Sequence, residues 1–166
     1  MSQSFLIQQY TFSRHITLAT LESTTETLAD VIPETSTNNI RWHLGHILVS
    51  TDMLLFGKID EASSGIPQHY LSLFFVDTSP ANWKNENVPT LTELRELLTS
   101  QIERVQVFDK KIEEPLPQPF TVQGHTINTF GQMLSFITWH EGYHHGFING
   151  LKRAVGEKNL WPSQKA

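Results

Sequence analysis

The stretch Trp139-His140-Glu141-Gly142-Tyr143-His144-His145 puts three histidines and a glutamate within six residues. It lies in the longest apolar-periodic run of the chain. Met133, Ile137, His140, His144, Phe147, Leu151 and Val155 step by 4, 3, 4, 3, 4 and 4, close to a heptad seam. The spacing predicts a helix that begins near 126–128 and ends at Val155, with Gly156 just past its end. Lys152 and Arg153 in the last turn suit the helix dipole. His140 and His144 are four apart, so they lie one turn above each other on the same face. Two imidazoles at that spacing can share one metal ion, and both fall on the core seam.

Three more helical segments are expected on either side of a long irregular connection. The first runs from about Gln3 to Asp30, with a stripe of Phe5, Phe12, Ile16 and Ala19 continued by Leu21 and Leu28, and Pro33 marks its end. The second starts at Ser36, Thr37 or Asn38, all good N-cap residues, and runs to Phe56, with Gly57 as its stop. Its stripe of Trp42, His46, Val49, Met53 and Phe56 is broadened by Leu44, Ile47, Leu48, Thr51, Leu54 and Leu55. So broad a stripe belongs to a helix buried on much of its circumference. The third spans about Leu91 to Ile112, capped by Thr90 or Thr92, with a seam of Leu91, Leu94, Leu98, Ile102 and Val105.

Lys58 to Thr90 has no helical period apart from a short helix or turn over His69–Val76. Such a connection is either a functional lid or a crossover that packs its aromatics on the bundle. Pro115, Pro117 and Pro119 bar a helix before the last one, and a short extended pair is expected around Gln123-Gly124. The pattern as a whole predicts a single all-α domain over residues 1–166, a four-helix bundle with a long crossover loop.

Composition narrows the function classes. Net charge is −5 with no basic run, which argues against nucleic acid. There is no cysteine, hence no disulfide, thiol nucleophile or thiolate ligand. No run approaches the ~20 apolar residues of a membrane span, and the N-terminus lacks the pattern of a signal peptide. A cytoplasmic location is expected.

The chain has eight histidines: His15, His43, His46, His69, His125, His140, His144 and His145. Three lie on core stripes of two helices. Packed together without an ion, they would set acceptor nitrogens against one another, and a divalent cation would satisfy all three. His46, His140 and His144 are therefore the expected metal ligands. His43 lies about 60° around the helix from His46 and His145 about 100° from His144. His43 falls on a polar stripe with Asn39 and Ser50, and His145 is expected to rim the site or face solvent. His15, His69 and His125 receive no role. Three ligands leave coordination positions open, the mark of a catalytic site.

The string His140-Glu141-x-x-His144 also matches a zinc-protease pattern with Glu141 as general base. That reading needs a third ligand downstream, and the only later glutamate is Glu157. It is disfavoured. Glu141 is still carried as a catalytic candidate, and Trp42, Asp52, Tyr143 and Phe147 as residues that line or support the site.

Arg41-Trp42-His43-Leu44-Gly45-His46-Ile47 and Trp139-His140-Glu141-Gly142-Tyr143-His144-His145-Gly146, followed by Leu151-Lys152-Arg153-Ala154-Val155-Gly156, resemble the paired motifs of the DinB/YfiT-like superfamily. Tyr70–Phe75 and Pro89-Thr90-Leu91 are similar to members of it too. The resemblance implies an up-down-down-up four-helix bundle. It implies ligands at His46, His140 and His144 for zinc, nickel, iron or manganese. It implies a thiol-cofactor-dependent transferase or a hydrolase acting on a small-molecule substrate, with a low-molecular-weight thiol as possible cofactor and a homodimer as the common assembly. A metal- or ligand-binding bundle without turnover is the alternative. One departure stands out: relatives often have Gly-Gln after the histidine pair, where this chain has Gly146-Phe147. With Phe147 placed on the inner stripe, a polar contact to the ion or substrate is expected to be missing.

Overall fold

The computed structural model describes residues 3–59, 64–84 and 86–162. Among them are α1 (Phe5–Glu22), α2 (Glu26–Ala29), α3 (Ile40–Leu54), α4 (Tyr70–Phe74), β1 (Pro115–Val122), β2 (His125–Thr129), α5 (Leu91–Arg104) and α6 (Phe130–Ala154). The protein is mostly helical, and the hairpin of β1 and β2 is the extended pair expected around Gln123-Gly124. Its three prolines cannot donate along a helix. Val122 pairs with His125 across the two-residue turn Gln123-Gly124, whose φ angles are both positive, 49° and 79°. A tight hairpin turn of this kind requires that, and glycine supplies one position at no steric cost.

Each long helix starts on a side-chain cap. The Oγ of Ser4, the Oδ1 of Asn39 and the Oγ1 of Thr129 accept from Ile7, Trp42 and Gln132 N–H. Thr90 and Glu93 form a reciprocal capping box.

α3 starts at Ile40, capped by Asn39 rather than by Ser36, Thr37 or Asn38, and α6 starts at Phe130 because residues 126–128 are spent in β2; three C-terminal ends differ from expectation as well. α1 stops at Glu22 rather than Asp30, and side chains satisfy the carbonyls at that end. Lys152 Nζ donates to Thr20 O at 3.0 Å and Ser23 O at 3.1 Å, and Thr24 Oγ1 also turns back to Thr20 O. Thr25 then caps the single turn of α2. α3 ends at Leu54 and α5 at Arg104, each passing into 3-10 turns over Phe56–Lys58 and Val105–Lys110. α6 closes as expected, with Gly156 at φ 83°.

The buried face of α1 also differs. Ile7, Tyr10, Arg14, Thr17 and Leu21 point inward, whereas Phe5 and Phe12 are 71% and 62% exposed. On α3 every residue from Ile40 to Asp52 is buried, which matches the broad stripe read from the sequence.

α1 and α3 each pack against both α5 and α6. Side-chain pairs give the directions. Along α1 and α6, Arg14 meets Glu141, Thr20 meets His145 and Ser23 meets Lys152, so the two run parallel. Along α3 and α5, Leu48 meets Gln101 and Asp52 meets Arg104, parallel again. Two apolar clusters fill the interior. One holds Leu44, Leu48, Phe74, Leu94, Leu98 and Ile148; the other holds Ile7, Tyr10, Leu55, Val105, Phe108 and Ile137. In chain position a polar residue falls between the two on every long helix: Arg14, Thr51, Gln101 and Glu141.

The long connection packs Tyr70, Phe74 and Trp83 on the bundle, as the crossover reading requires, and leaves Phe75 exposed. Phe74 is fully buried, and Trp83 Nε1–H donates to Leu73 O at 3.2 Å. The Phe74 ring lies so near α3 that a Cβ on Gly45 would meet it at 2.3 Å. Gly45→Ala should therefore push α4 off α3 and lower stability by about 1–3 kcal/mol, read as an earlier urea midpoint at unchanged slope.

Candidate metal centre

α3 presents His46 and α6 presents His140 and His144 to one another. One ligand atom from each can be chosen so that all three lie within 4.8 Å of one another. His144 Nε2 and His140 Nε2 are 3.1 Å apart. Two imidazole nitrogens bound at 2.0–2.1 Å to one tetrahedral ion would sit about 3.3 Å apart, so the pair is already at ligand spacing. His46 is oriented from behind. Its Nδ1 lies 2.7 Å from Phe74 O, which can only accept, so Nδ1 carries the proton and Nε2 keeps its lone pair. The indole of Trp42 stacks on the same ring at 4.7 Å, and Trp42 Nε1–H is anchored on Thr78 Oγ1.

The environment keeps these rings neutral. Burial pushes His144 down to about 2, reinforced by His140, His46 and His43. Burial, then His46, pushes His140 and His43 down to about 4 each. His46 is lowered by burial, partly countered by its bond to Phe74. Neutral imidazoles with free lone pairs are the form that binds metal.

Of the residues expected to line the site, Trp42, Tyr143 and Phe147 touch the histidines and Asp52 does not. Tyr143 meets the His144 ring edge-on at 5.4 Å. Phe147 is 47% exposed, so it stands on the rim rather than on the inner stripe, stacked on His43 at 5.5 Å. α6 turns Ile148, not Phe147, into the core. Asp52 is buried and bound by Arg104, Ser64 and the Gly65 N–H. It borders a cavity of about 570 Å³ with Met53, Gly57, Ser64, Ile66, Gln68 and Leu71, none of them a histidine. His145 turns the other way, to Thr20 Oγ1 at 2.7 Å and the ring of Trp161.

Glu141 is neither in the cluster nor in water. It is 1% exposed, and its two oxygens accept from Arg14 Nε at 2.8 Å and Nη2 at 3.1 Å. Arg14 also donates to Leu98 O, Gln101 Oε1 and Thr51 Oγ1. The sequence reading overlooked Arg14, although it occupies a 3-4 stripe with Ile7, Tyr10, Thr17 and Leu21. It also set His43 aside, yet His43 Nδ1 lies 2.9 Å from His144 Nδ1. The polar stripe of Asn39, His43 and Ser50 is buried along its whole length.

Two outcomes follow. Arg14→Met strands a buried carboxylate and should cost about 3–5 kcal/mol, most of it recovered in Arg14→Met/Glu141→Leu. Chemical denaturation of the two variants checks this. The histidines also set a pH dependence. Their folded values lie below the ordinary 6.5, so the unfolded chain binds more protons as pH falls toward about 4. Chelator-treated protein should therefore lose stability from pH 6.5 to 5, taking up roughly three protons on unfolding near pH 5 through His43, His140 and His144. A flat urea midpoint across that window contradicts buried neutral rings.

No curated protein matches the chain significantly. The model of the DinB superfamily matches residues 9–148, which takes in most of α1, His46, His140 and His144, and most of α6. The chain belongs to the DinB superfamily.

Proposed function

We propose that the protein is a divalent-metal-dependent enzyme acting on a small molecule, with one ion held by His46, His140 and His144. The observation that carries this reading is the convergence of three imidazoles from two helices on one point. Three nitrogen donors with no thiolate suit zinc, nickel or iron, with manganese as a weaker match. A bound ion would supply Lewis acidity, lowering the pKa of a water or a thiol at its open positions. Phe74 O and Trp42 fix the His46 ring, and Phe136, Tyr143 and Phe147 give the histidines an apolar rim. An apolar rim and an exchangeable position favour transfer of a low-molecular-weight thiol to a small apolar substrate, with hydrolysis as the neighbouring reaction.

Glu141 belongs to the scaffold in this reading. A protease base must reach the metal-bound water, and the Glu141 carboxylate is held by Arg14. The parallel pairs α1 with α6 and α3 with α5 support an up-down-down-up bundle. A second reading, a metal-holding bundle without turnover, draws on a cavity of about 570 Å³ lying against Asp52 rather than the histidines.

Protein purified without a metal-affinity tag should carry about one equivalent of divalent metal by elemental analysis. His144→Ala should lose it and His69→Ala should keep it. Full stoichiometry in His144→Ala would overturn the ligand assignment. A melting temperature little changed in His144→Ala favours the catalytic reading, and a sharp fall favours the structural one. Assays of the loaded protein with small thiols and electrophilic acceptors then test transfer.

A further inference from the structure

His43 is the buried group that the metal reading leaves unused. It is 5% exposed, one turn before His46 on α3. Its Nδ1 faces His144 Nδ1 at 2.9 Å, the nitrogen opposite the one that faces His140. A contact between two ring nitrogens is attractive only when one carries the proton and the other a lone pair. If His144 gives Nε2 to the ion, its proton must sit on Nδ1. His43 must then present a bare Nδ1 and carry its own proton on Nε2. The His43 ring is fixed for this task, stacked on Phe147 at 5.5 Å with a 14° tilt and set edge-on to Trp42 at 5.2 Å.

We propose that His43 is a positioning residue for the metal centre: its Nδ1 accepts the His144 Nδ1–H and so holds the His144 Nε2 lone pair toward the ion. The inference rests on the metal reading above. It gives His144 the kind of support that Phe74 O gives His46, with an imidazole in place of a carbonyl. It also gives Phe147 a role. Phe147 makes no polar contact with the ion and packs the ring that orients one of its ligands.

Two variants separate the acceptor from the packing. His43→Phe keeps a ring against Phe147 and removes the acceptor. His43→Asn removes the ring, but its Oδ1 can take the place of Nδ1. Zinc dissociation constants, measured by competition with a chromophoric chelator, should rise about 10- to 100-fold in His43→Phe and return close to wild type in His43→Asn. A wild-type constant in His43→Phe, or equal weakening in both variants, overturns the proposal. Failure of the wild-type protein to bind zinc overturns the metal reading itself.

A second readout needs no variant. Imidazole 15N spectra of the zinc-loaded wild-type protein should show His144 protonated at Nδ1, with a coupling across the hydrogen bond to an unprotonated His43 Nδ1. The opposite placement of the proton overturns the proposal.

Discussion

The side chain of Arg14 is a full charge with no access to water. A guanidinium so placed costs several kcal/mol in lost solvation unless every donor finds an acceptor. Its five hydrogen bonds end on three other helices: Glu141 of α6, Leu98 and Gln101 of α5, and Thr51 of α3. Gln101 extends the network by donating to Leu48 O. Apolar packing tolerates sliding and rotation of helices, whereas a planar donor fork matched to a carboxylate does not. The polar layer between the two apolar clusters therefore fixes how the four long helices sit in height and rotation.

That constraint reaches the histidines through one peptide bond. Glu141 follows His140, and successive residues point about 100° apart around a helix. Holding Glu141 on Arg14 turns His140 and His144 toward α3. On α3 the exact rotation is set by other means. Phe74 packs into the space left by Gly45 and offers its carbonyl to His46, while Trp42 stacks on the ring. The His46 ring is thus held from behind, with Nε2 toward the common point, where the Ser50 hydroxyl donates to it at 3.3 Å. Burial keeps the rings neutral, and the same burial makes the metal-free cluster sensitive to acid.

Much of this was legible in the sequence because the chemistry is carried by spacing. His140 and His144 four apart on an apolar seam, and His46 in line with Trp42 and Val49, name the cluster without a structure. The caps at Thr90 and the turn at Gln123-Gly124 were legible for the same reason, since they depend on local residues alone. What stayed hidden depends on partners distant in the chain. Arg14 reads as a surface residue until Glu141, 127 positions later, is seen to complete it. Glu141 was weighed as a base because its adjacency to His140 was visible and its partner was not. Phe147 steps along the seam with His140 and His144, but α6 turns Ile148 into the core instead, and a heptad count does not resolve one residue in seven. The end of α1 escaped for a similar reason, because the lysine that binds the chain there, at Thr20 O and Ser23 O, comes from α6.

The central claim is that three imidazoles from α3 and α6 bind one ion and that no carboxylate joins them. X-ray absorption at the metal edge of the zinc-loaded protein tests it directly. The expected spectrum has three imidazole nitrogens at about 2.0–2.1 Å, with one or two exchangeable oxygen ligands. A first shell with fewer than two imidazoles, or one dominated by carboxylate oxygen, would contradict it.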